Sequence, residues 1–295
     1  MRGGLQEREI RRFRWAMLAP GLIVLFAINA VPIIDTLLTS FNDFYLPRPQ
    51  QEKFIGLANY VNLFKDARFL SALGRTFKFV ALVVSTEIVL GLSIAILLTS
   101  DIKASKALRS VFLLPIILTP ITTAFMWRIM FSPTLGVFNY FLSLVGIEPQ
   151  QWIYSVDQAL PSVAMVITWC KTPFMIMVFY TGLLSIPDDV IDAAMIDGAS
   201  RWQQMIHIKL PLIRPVFFVA ILFQLIDTFK EFDLTFILTR GGPGSTTEWL
   251  SVYTYLNSFG FLKMGYGSAS AIIMSVLITI IAALVVKFGG VNLEQ

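Results

Sequence analysis

The sequence predicts an all-α polytopic membrane protein, and three observations support this fold class. Of the 295 residues, 56% are hydrophobic and only 14% are charged, whereas a soluble domain carries about 25% charged residues. The mean hydropathy is +0.72. The apolar runs lack the alternation of polar and apolar residues that a membrane β-barrel requires, so we expect the membrane-crossing segments to be helices.

Several apolar runs are long enough to cross a hydrocarbon core of about 30 Å, which needs roughly 20 helical residues. We predict six transmembrane helices, at about 15–40, 77–99, 111–131, 160–184, 216–238 and 266–287. The first run follows a basic flank without a small-residue cleavage site, so we interpret it as a retained helix. Pro115 and Pro120 predict a kink in the third helix. Gly91 and Ala95 predict close packing of the second helix.

The distribution of lysine and arginine predicts the orientation, because cytoplasmic loops are enriched in these residues. With the N-terminus in the cytoplasm, twelve of them fall in the inner loops and tails and eight in the outer loops. Six helices then return the C-terminus to the same side. We therefore expect a multi-pass protein of the cell (inner) membrane with both termini in the cytoplasm.

Few residues in the sequence could perform covalent or metal chemistry. The single cysteine, Cys170, lies within a predicted span, and the single histidine, His207, has no second ligand near it. We therefore expect no disulfide, no metal centre and no catalytic residue. The sequence has no phosphate-binding GxxxxGK[ST] motif and no basic block typical of nucleic-acid binding. If ATP drives this protein, another chain must bind the nucleotide.

A polar stretch at residues 186–215 separates the fourth and fifth predicted spans. Pro187 suits a first helical position, and the two aspartates after it suit the positive end of a helix dipole. Gly198 predicts a bend, and Ser200 can cap a second helix that ends before Pro211. Four aspartates against three basic residues argue against a helix pair lying in the lipid interface. We predict two short amphipathic helices that face a cytoplasmic partner.

This stretch resembles the EAA loop of ATP-binding-cassette importer permeases, in which E-A-A is followed by D-G-A and then by a hydrophobic residue, an isoleucine and Leu-Pro. The matching positions are Asp192, Ala193, Ala194, Asp197, Gly198, Ala199, Ile208, Leu210 and Pro211. Two positions depart from the pattern, because Asp192 replaces the usual glutamate and Met205 the usual phenylalanine. The resemblance implies that the loop forms a coupling helix, which docks in a cleft of an ATPase subunit.

Further matches extend the resemblance over nearly the whole chain and towards the carbohydrate-uptake branch, the maltose and glycerol-phosphate type. They lie at residues 54–66, 108–139, 168–187 and 232–248. The resemblance implies a type I ABC importer permease fold, with the transmembrane domain at 71–288 between an N-terminal region at 1–70 and a cytoplasmic tail at 289–295.

The same resemblance implies several partners. These are a dimer of ATPase subunits that binds ATP and Mg, a second homologous permease subunit, an extracytoplasmic sugar-binding protein and a carbohydrate substrate. The chain itself would bind no cofactor. We expect the two permease subunits to differ, although the sequence leaves a homodimer open.

Polar side chains inside the predicted spans mark a candidate substrate path, because such residues are costly in lipid. At 100° per residue, Gln224, Asp227 and Glu231 share one stripe of the fifth helix, and Lys230 could pair with Asp227 at i,i+3. Lys171 is the corresponding charge in the fourth helix. For the stripe we favour the lining of a water-filled cavity over a set of internal ion pairs, and for Lys230 both explanations stay open.

Two other features have a functional and a structural explanation. Trp169 and Phe232 could offer flat apolar faces to sugar rings, although aromatic residues in a helix bundle more often serve in packing. The turn-rich segment GGPGS at 241–245 is either a docking loop for an extracytoplasmic binding protein or a plain connection.

The alternative from another functional class is an ion-coupled secondary transporter that uses Asp227, Glu231 and Lys230 as a relay. The EAA-like loop and the lack of an internal repeat disfavour it. A membrane-embedded hydrolase is disfavoured because the sequence shows no nucleophile–base pair or metal cluster. The favoured hypothesis is a permease subunit that moves a sugar or sugar derivative into the cell.

Overall fold

The computed structural model describes residues 2–100 and 105–289, and most of them are helical. The helices are α1 (Arg2–Ser40), α2 (Ala58–Lys65), α3 (Ala67–Thr99), α4 (Ser105–Leu113), α5 (Pro120–Met130), α6 (Val137–Leu144), α7 (Val156–Leu184), α8 (Asp188–Ile196), α9 (Arg201–Gln204), α10 (Leu210–Leu212), α11 (Arg214–Phe229), α12 (Asp233–Thr239), α13 (Leu250–Tyr255) and α14 (Met264–Gly289). An antiparallel hairpin pairs β1 (Asn42–Asp43) with β2 (Lys53–Phe54). Apart from Gly289, the predicted tail at 289–295 lies outside the described residues.

Four helices are long and apolar enough to cross a membrane: α1 from Arg12 onwards, α3, α7 and α14. They contain the first, second, fourth and sixth predicted spans. Two bent pairs of helices could each form one further span, which gives up to six. The predicted all-α, polytopic fold class is confirmed.

The third predicted span bends sharply before Pro120, in the span for which the two prolines predict a kink. The segments Ser110–Ile117 and Pro120–Met130 meet at 108°. Pro120 has no N–H to donate, and a residue that precedes a proline disfavours helical geometry. The helix therefore stops and restarts at Pro120, where the side chain of Thr119 accepts a hydrogen bond from the N–H of Thr122.

The fifth predicted span is also broken, at residues 230–232, because α11 ends at Phe229 and α12 begins at Asp233. The Oε1 atom of Glu231 accepts a hydrogen bond of 3.2 Å from the N–H of Leu234. A side chain that bonds to nearby backbone in this way competes with a continuous helix. At the N-terminal end of α11, the helical segment Arg201–Leu212 precedes this helix, and the two meet at a bend of 69°.

The described chain divides into two compact units, of which the first contains residues 2–65 and 254–273. Within it, the side-chain amide of Asn59 donates hydrogen bonds of 2.9 Å to the carbonyl oxygens of Ser40 and Asn42. These bonds join α2 to the end of α1 and to the hairpin.

The second unit contains residues 66–253 and 274–289, and α3 and α7 pack closely along each other within it. A Cβ atom on Gly91 of α3 would lie only 2.7 Å from the Cβ of Met175 on α7, so the approach requires a residue without a side chain. Met175 and Ile213 belong to the buried cluster that also joins α11 to these helices. The predicted close packing of α3 is confirmed.

The segment that follows the GGPGS turn is fastened to the beginning of α3. Arg68 donates from Nε and Nη2 to the two carboxylate oxygens of Glu248, each at 2.8 Å. This bidentate geometry is one of the stronger ion-pair arrangements in proteins. Trp249 stacks on Phe79 with ring centroids 4.0 Å apart. These contacts fix the position from which α13 begins.

Candidate functional site

A cavity of about 380 Å³ lies in the second unit, where both helix breaks meet the middle of α7. Its charged lining residues are Lys171, Asp227, Lys230, Glu231 and Asp233. Non-helical backbone at membrane depth is tolerated where it is buried in protein or lines a cavity. The breaks before Pro120 and at residues 230–232 therefore both border the cavity that contains these charged side chains.

Lys171 joins two acidic residues across this cavity. Its Nζ atom lies 2.7 Å from Oδ2 of Asp227 and 2.8 Å from Oε2 of Glu231. The side chain of Lys171 is 15% exposed and that of Glu231 is 8% exposed, whereas that of Asp227 is 60% exposed. The lysine is thus held inside the bundle between one buried carboxylate and one that faces open space.

The predicted pair between Asp227 and Lys230 was wrong. Lys230 is the C-cap of α11 and still lies about one helical turn beyond Asp227, but the carboxylate of Asp227 is bound by Lys171 instead. No ion pair of Lys230 or Asp233 is seen among residues 2–100 and 105–289. The predicted stripe assumed a helix that continues past residue 229. Glu231 lies in the break after α11 instead, but it still lines the cavity and contacts Lys171.

Glu87 on α3 belongs to the same neighbourhood and was missed by the sequence analysis. It is fully buried, and neither of its carboxylate oxygens has a hydrogen-bond partner within the described parts of the chain. Its electrostatic neighbours are Gln224, Lys171, Asp227 and Glu231. A signal was present, because Glu87 is the only charged residue between Lys78 and Asp101 in the sequence.

Gln224 is buried on α11, as a residue that faces the bundle interior would be. Its Nε2 atom has no hydrogen-bond partner within the described residues. It therefore lies behind the cavity, beside Glu87, rather than in the cavity wall.

The two aromatic candidates lie in different places. Phe232 lines the charged cavity and stacks on Phe236 with ring centroids 5.0 Å apart. Trp169 instead lines a separate apolar groove of about 690 Å³ between α3, α4 and α7. Its ring packs edge-on against Trp127 at 5.5 Å, so Trp169 contributes to the apolar packing beside the cavity.

The polar stretch between α7 and α11 forms the bent helix pair that the sequence predicts. Helix α8 begins at Asp188, with Pro187 as its N-cap rather than its first helical residue. The bend lies at Gly198, whose φ of +76° is costly for any residue with a side chain. The predicted cap is confirmed, because Ser200 and Gln203 form a reciprocal capping box at the start of α9.

The second helix of this pair does not end before Pro211, so that prediction was wrong. A π-helical stretch, Met205–Lys209, follows α9 and leads into α10, which contains Pro211. Proline cannot donate a backbone hydrogen bond, and a π-helical turn is one way in which a helix absorbs such an irregularity.

The EAA-like residues divide into an anchored group and an exposed group. Met205 is buried, and Leu210 packs against the buried cluster of α3, α7 and α11. Ala194 is buried as well. Asp192, Ala193, Asp197 and Gly198 are exposed, Ala199 is half-buried, and Pro211 is exposed.

Two large apolar side chains accompany the exposed group. Ile196 is 87% exposed and Trp202 is 73% exposed, and they lie on either side of the bend at Gly198. Exposed apolar side chains that cluster on a polar element mark a protein-interaction surface. We call the segment from Asp188 to Leu212 the bent loop.

Comparison with known proteins identifies the family. The profile of the family described as "Binding-protein-dependent transport system inner membrane component" matches residues 69–289. The chain is 33% identical to the trehalose/maltose transport system permease protein MalF of Thermococcus litoralis over 285 residues, which cover 97% of this chain and 96% of that protein. It is 30% identical to the trehalose transport system permease protein SugA of Mycobacterium tuberculosis, over 95% of this chain and 89% of that one.

A solved structure shares the fold. It is a chain of a bacterial ABC transporter involved in the import of the acidic polysaccharide alginate, with a TM-score of 0.85 and 22% identity over 98% of this chain and 99% of that chain. The match over residues 69–289 and the permease relatives show that the chain is a transport component rather than an enzyme. The chain belongs to the family of inner membrane components of binding-protein-dependent transport systems.

Proposed function

We propose that this chain imports a sugar or sugar derivative through the cavity around Lys171, Asp227 and Glu231. The observation that carries the proposal is a polar cavity of about 380 Å³ at the helix breaks, within the usual size range of a small-molecule site. Carboxylate oxygens accept hydrogen bonds from hydroxyl groups. Support also comes from relatives that match nearly the whole chain and are named as trehalose or maltose permeases.

We propose that the bent loop couples the cavity to ATP hydrolysis on a separate ATPase subunit, which would hold ATP and Mg. Leu210, near the end of the loop, packs against the buried cluster formed by residues of α3, α7 and α11. A push on the exposed bend would therefore reach the two helices that hold the ion-pair partners. Exposed Ile196 and Trp202 supply the apolar contact that a stable docking surface needs.

The remaining partners follow from the proposed coupling. One bent loop supplies one contact, so an ATPase dimer requires a second permease subunit, which we propose to be related but not identical. An extracytoplasmic sugar-binding protein would deliver the substrate, and the GGPGS segment is a candidate for its contact. Both termini would then lie in the cytoplasm, on the side of the bent loop.

The test is to purify the chain with the subunits that co-purify from its native membrane and to reconstitute them in proteoliposomes. Uptake of radiolabelled maltose or trehalose should require ATP on the side of the bent loop. A variant of the ATPase subunit that binds but does not hydrolyse ATP is the control, and it should abolish uptake. Uptake that follows an imposed ion gradient without ATP would support the secondary-transporter alternative and contradict the proposal.

A further inference from the structure

The charge of Lys171 raises the question of which sugars the cavity accepts, because a buried lysine could bind the acid group of a charged sugar. We propose instead that the cavity selects neutral sugars against anionic ones, with Lys171 serving as an internal counter-ion for Asp227 and Glu231. This inference rests on the proposed function.

Two of the three hydrogen-bond donors of Lys171 are committed to protein carboxylates, and the third is directed at a backbone oxygen. An ammonium group has three donors. In this structure Nζ lies 2.7 Å from Asp227 Oδ2 and 2.8 Å from Glu231 Oε2, and it donates a longer bond of 3.5 Å to the backbone oxygen of Asp227. An incoming carboxylate would have to displace one of these partners and leave a protein carboxylate without its cation, which is costly in a buried site.

The other charges of the cavity also oppose an anion. Two lysines and three carboxylates line it. Lys230 and Asp233 are both exposed at the cavity and carry opposite charges, although no ion pair joins them within the described residues. Around Lys171 the acidic groups are therefore in excess, because this lysine is already paired with both Asp227 and Glu231.

The groups left for a ligand suit hydroxyls. The side chain of Asp227 is 60% exposed, and an ionised carboxylate accepts hydrogen bonds without donating any. Thr123, whose hydroxyl can accept or donate, also lines the cavity. A neutral polyol supplies the required donors, whereas a sugar that carries a carboxylate brings an additional acceptor and a like charge.

The test compares two ligands of nearly equal size, maltose and maltobionate, in which the reducing end is oxidised to a carboxylate. Their binding to the purified transporter complex, in nanodiscs and without the binding protein, is measured by isothermal titration calorimetry at low salt. We expect maltose to bind at least about tenfold more tightly, which corresponds to 1.4 kcal/mol. Equal or tighter binding of maltobionate would overturn the inference and leave the proposed sugar import intact. If neither ligand binds and neither is imported with ATP, the proposed function fails, and this inference fails with it.

The variant that carries both Asp227→Asn and Glu231→Gln frees Lys171 and should bring maltobionate binding to within about threefold of maltose binding, or beyond it. The single variant Asp227→Asn serves the same purpose if the double variant does not fold. Asp233→Asn is the matched control, because it removes a carboxylate from the same cavity without touching Lys171, and it should change the ratio by less. If Asp233→Asn changed the ratio of the two affinities as much as the double variant does, the role assigned to Lys171 would be overturned. The net charge of the cavity would then explain the selectivity.

Discussion

The bent loop and the charged cavity lie in the same compact unit but are built in opposite ways. The hydrogen bonds that shape the loop join residues three to five positions apart, as between Ser200 and Gln203 or between Ala199 and Gln204. The cavity depends on Lys171, which bonds to Asp227 56 residues further along the chain. The loop is a local structure that offers a surface to a partner, whereas the cavity exists only when α7 and α11 are packed.

This difference predicts two classes of variant. A substitution in the cavity lowers the stability of the unit and also changes its ligand contacts, because it breaks an ion pair between α7 and α11. A change at the exposed bend leaves the unit folded and alters only what binds to it.

The largest effect is expected for Lys171→Met. Removing one partner of a buried ion pair leaves uncompensated charge and typically costs about 3–5 kcal/mol, and we expect the lower end because Asp227 is largely exposed. Thermal unfolding of the purified complex in detergent measures the loss. Adding Asp227→Asn and Glu231→Gln to Lys171→Met should recover part of the stability, since neither position then carries a charge that has lost its partner. A Lys171→Met variant as stable as the wild type would contradict the cavity as a folding determinant.

The sequence predicted the members of the cavity better than its geometry. Lys171, Asp227 and Glu231 stood out because charges inside apolar runs are rare, and all three meet in the structure. The predicted pair of Asp227 with Lys230 failed because Asp227 is bound by Lys171 of α7, a contact between distant parts of the chain that periodicity does not reveal. Glu87 carries the same signal as Lys171, since each is the only charge in a long apolar run, and it was overlooked although the sequence contained that signal.

The second prediction concerns the bend, where Gly198→Val should abolish uptake while the unit stays folded. A φ of +76° costs about 1–2 kcal/mol for a residue with a Cβ atom, so the bend would open. Gly198→Asn is the matched control, because asparagine tolerates this conformation better than most residues. A Cβ on Gly198 meets nothing within 4 Å in this chain.

The pair of Gly198 variants also separates two causes. Transport by Gly198→Asn but not by Gly198→Val would show that the bend conformation is what matters. Failure of both would show that a partner approaches the backbone too closely for any side chain. Normal uptake by Gly198→Val would remove the basis for the docking role.

The sequence predicted the loop almost completely, since capping residues and a glycine bend act on their immediate neighbours. It missed the π-helical stretch before Pro211, because the helix can continue there only with support from the cluster around Ile213 and Leu210. Local rules alone favoured a helix end at the proline.

A smaller effect is expected for Ile196→Ser. Full burial of an isoleucine side chain stabilises an interface by about 1.5–3 kcal/mol, so the Kd for the ATPase subunit should rise about 10- to 100-fold. Thermal unfolding of the chain should stay unchanged, because the side chain is 87% exposed. Ile196→Val is the control and should bind nearly as well as the wild type. Lower stability without weaker binding would place Ile196 in the fold rather than at the interface.

The smallest effect is expected at Asp192, where the resemblance to the EAA loop places glutamate. Asp192 is exposed on α8, so Asp192→Glu should leave the stability of the chain unchanged. The additional methylene group extends the reach of the carboxylate towards the ATPase subunit, and a charge-assisted hydrogen bond that improves in this way should tighten binding by less than about tenfold. Asp189→Glu makes the same change in the first turn of the same helix, which lies outside the EAA-like positions, and should leave the Kd unaltered. Equal effects of the two substitutions would show that the ATPase subunit senses the charge of α8 as a whole, and the position of Asp192 would then have no special role in docking.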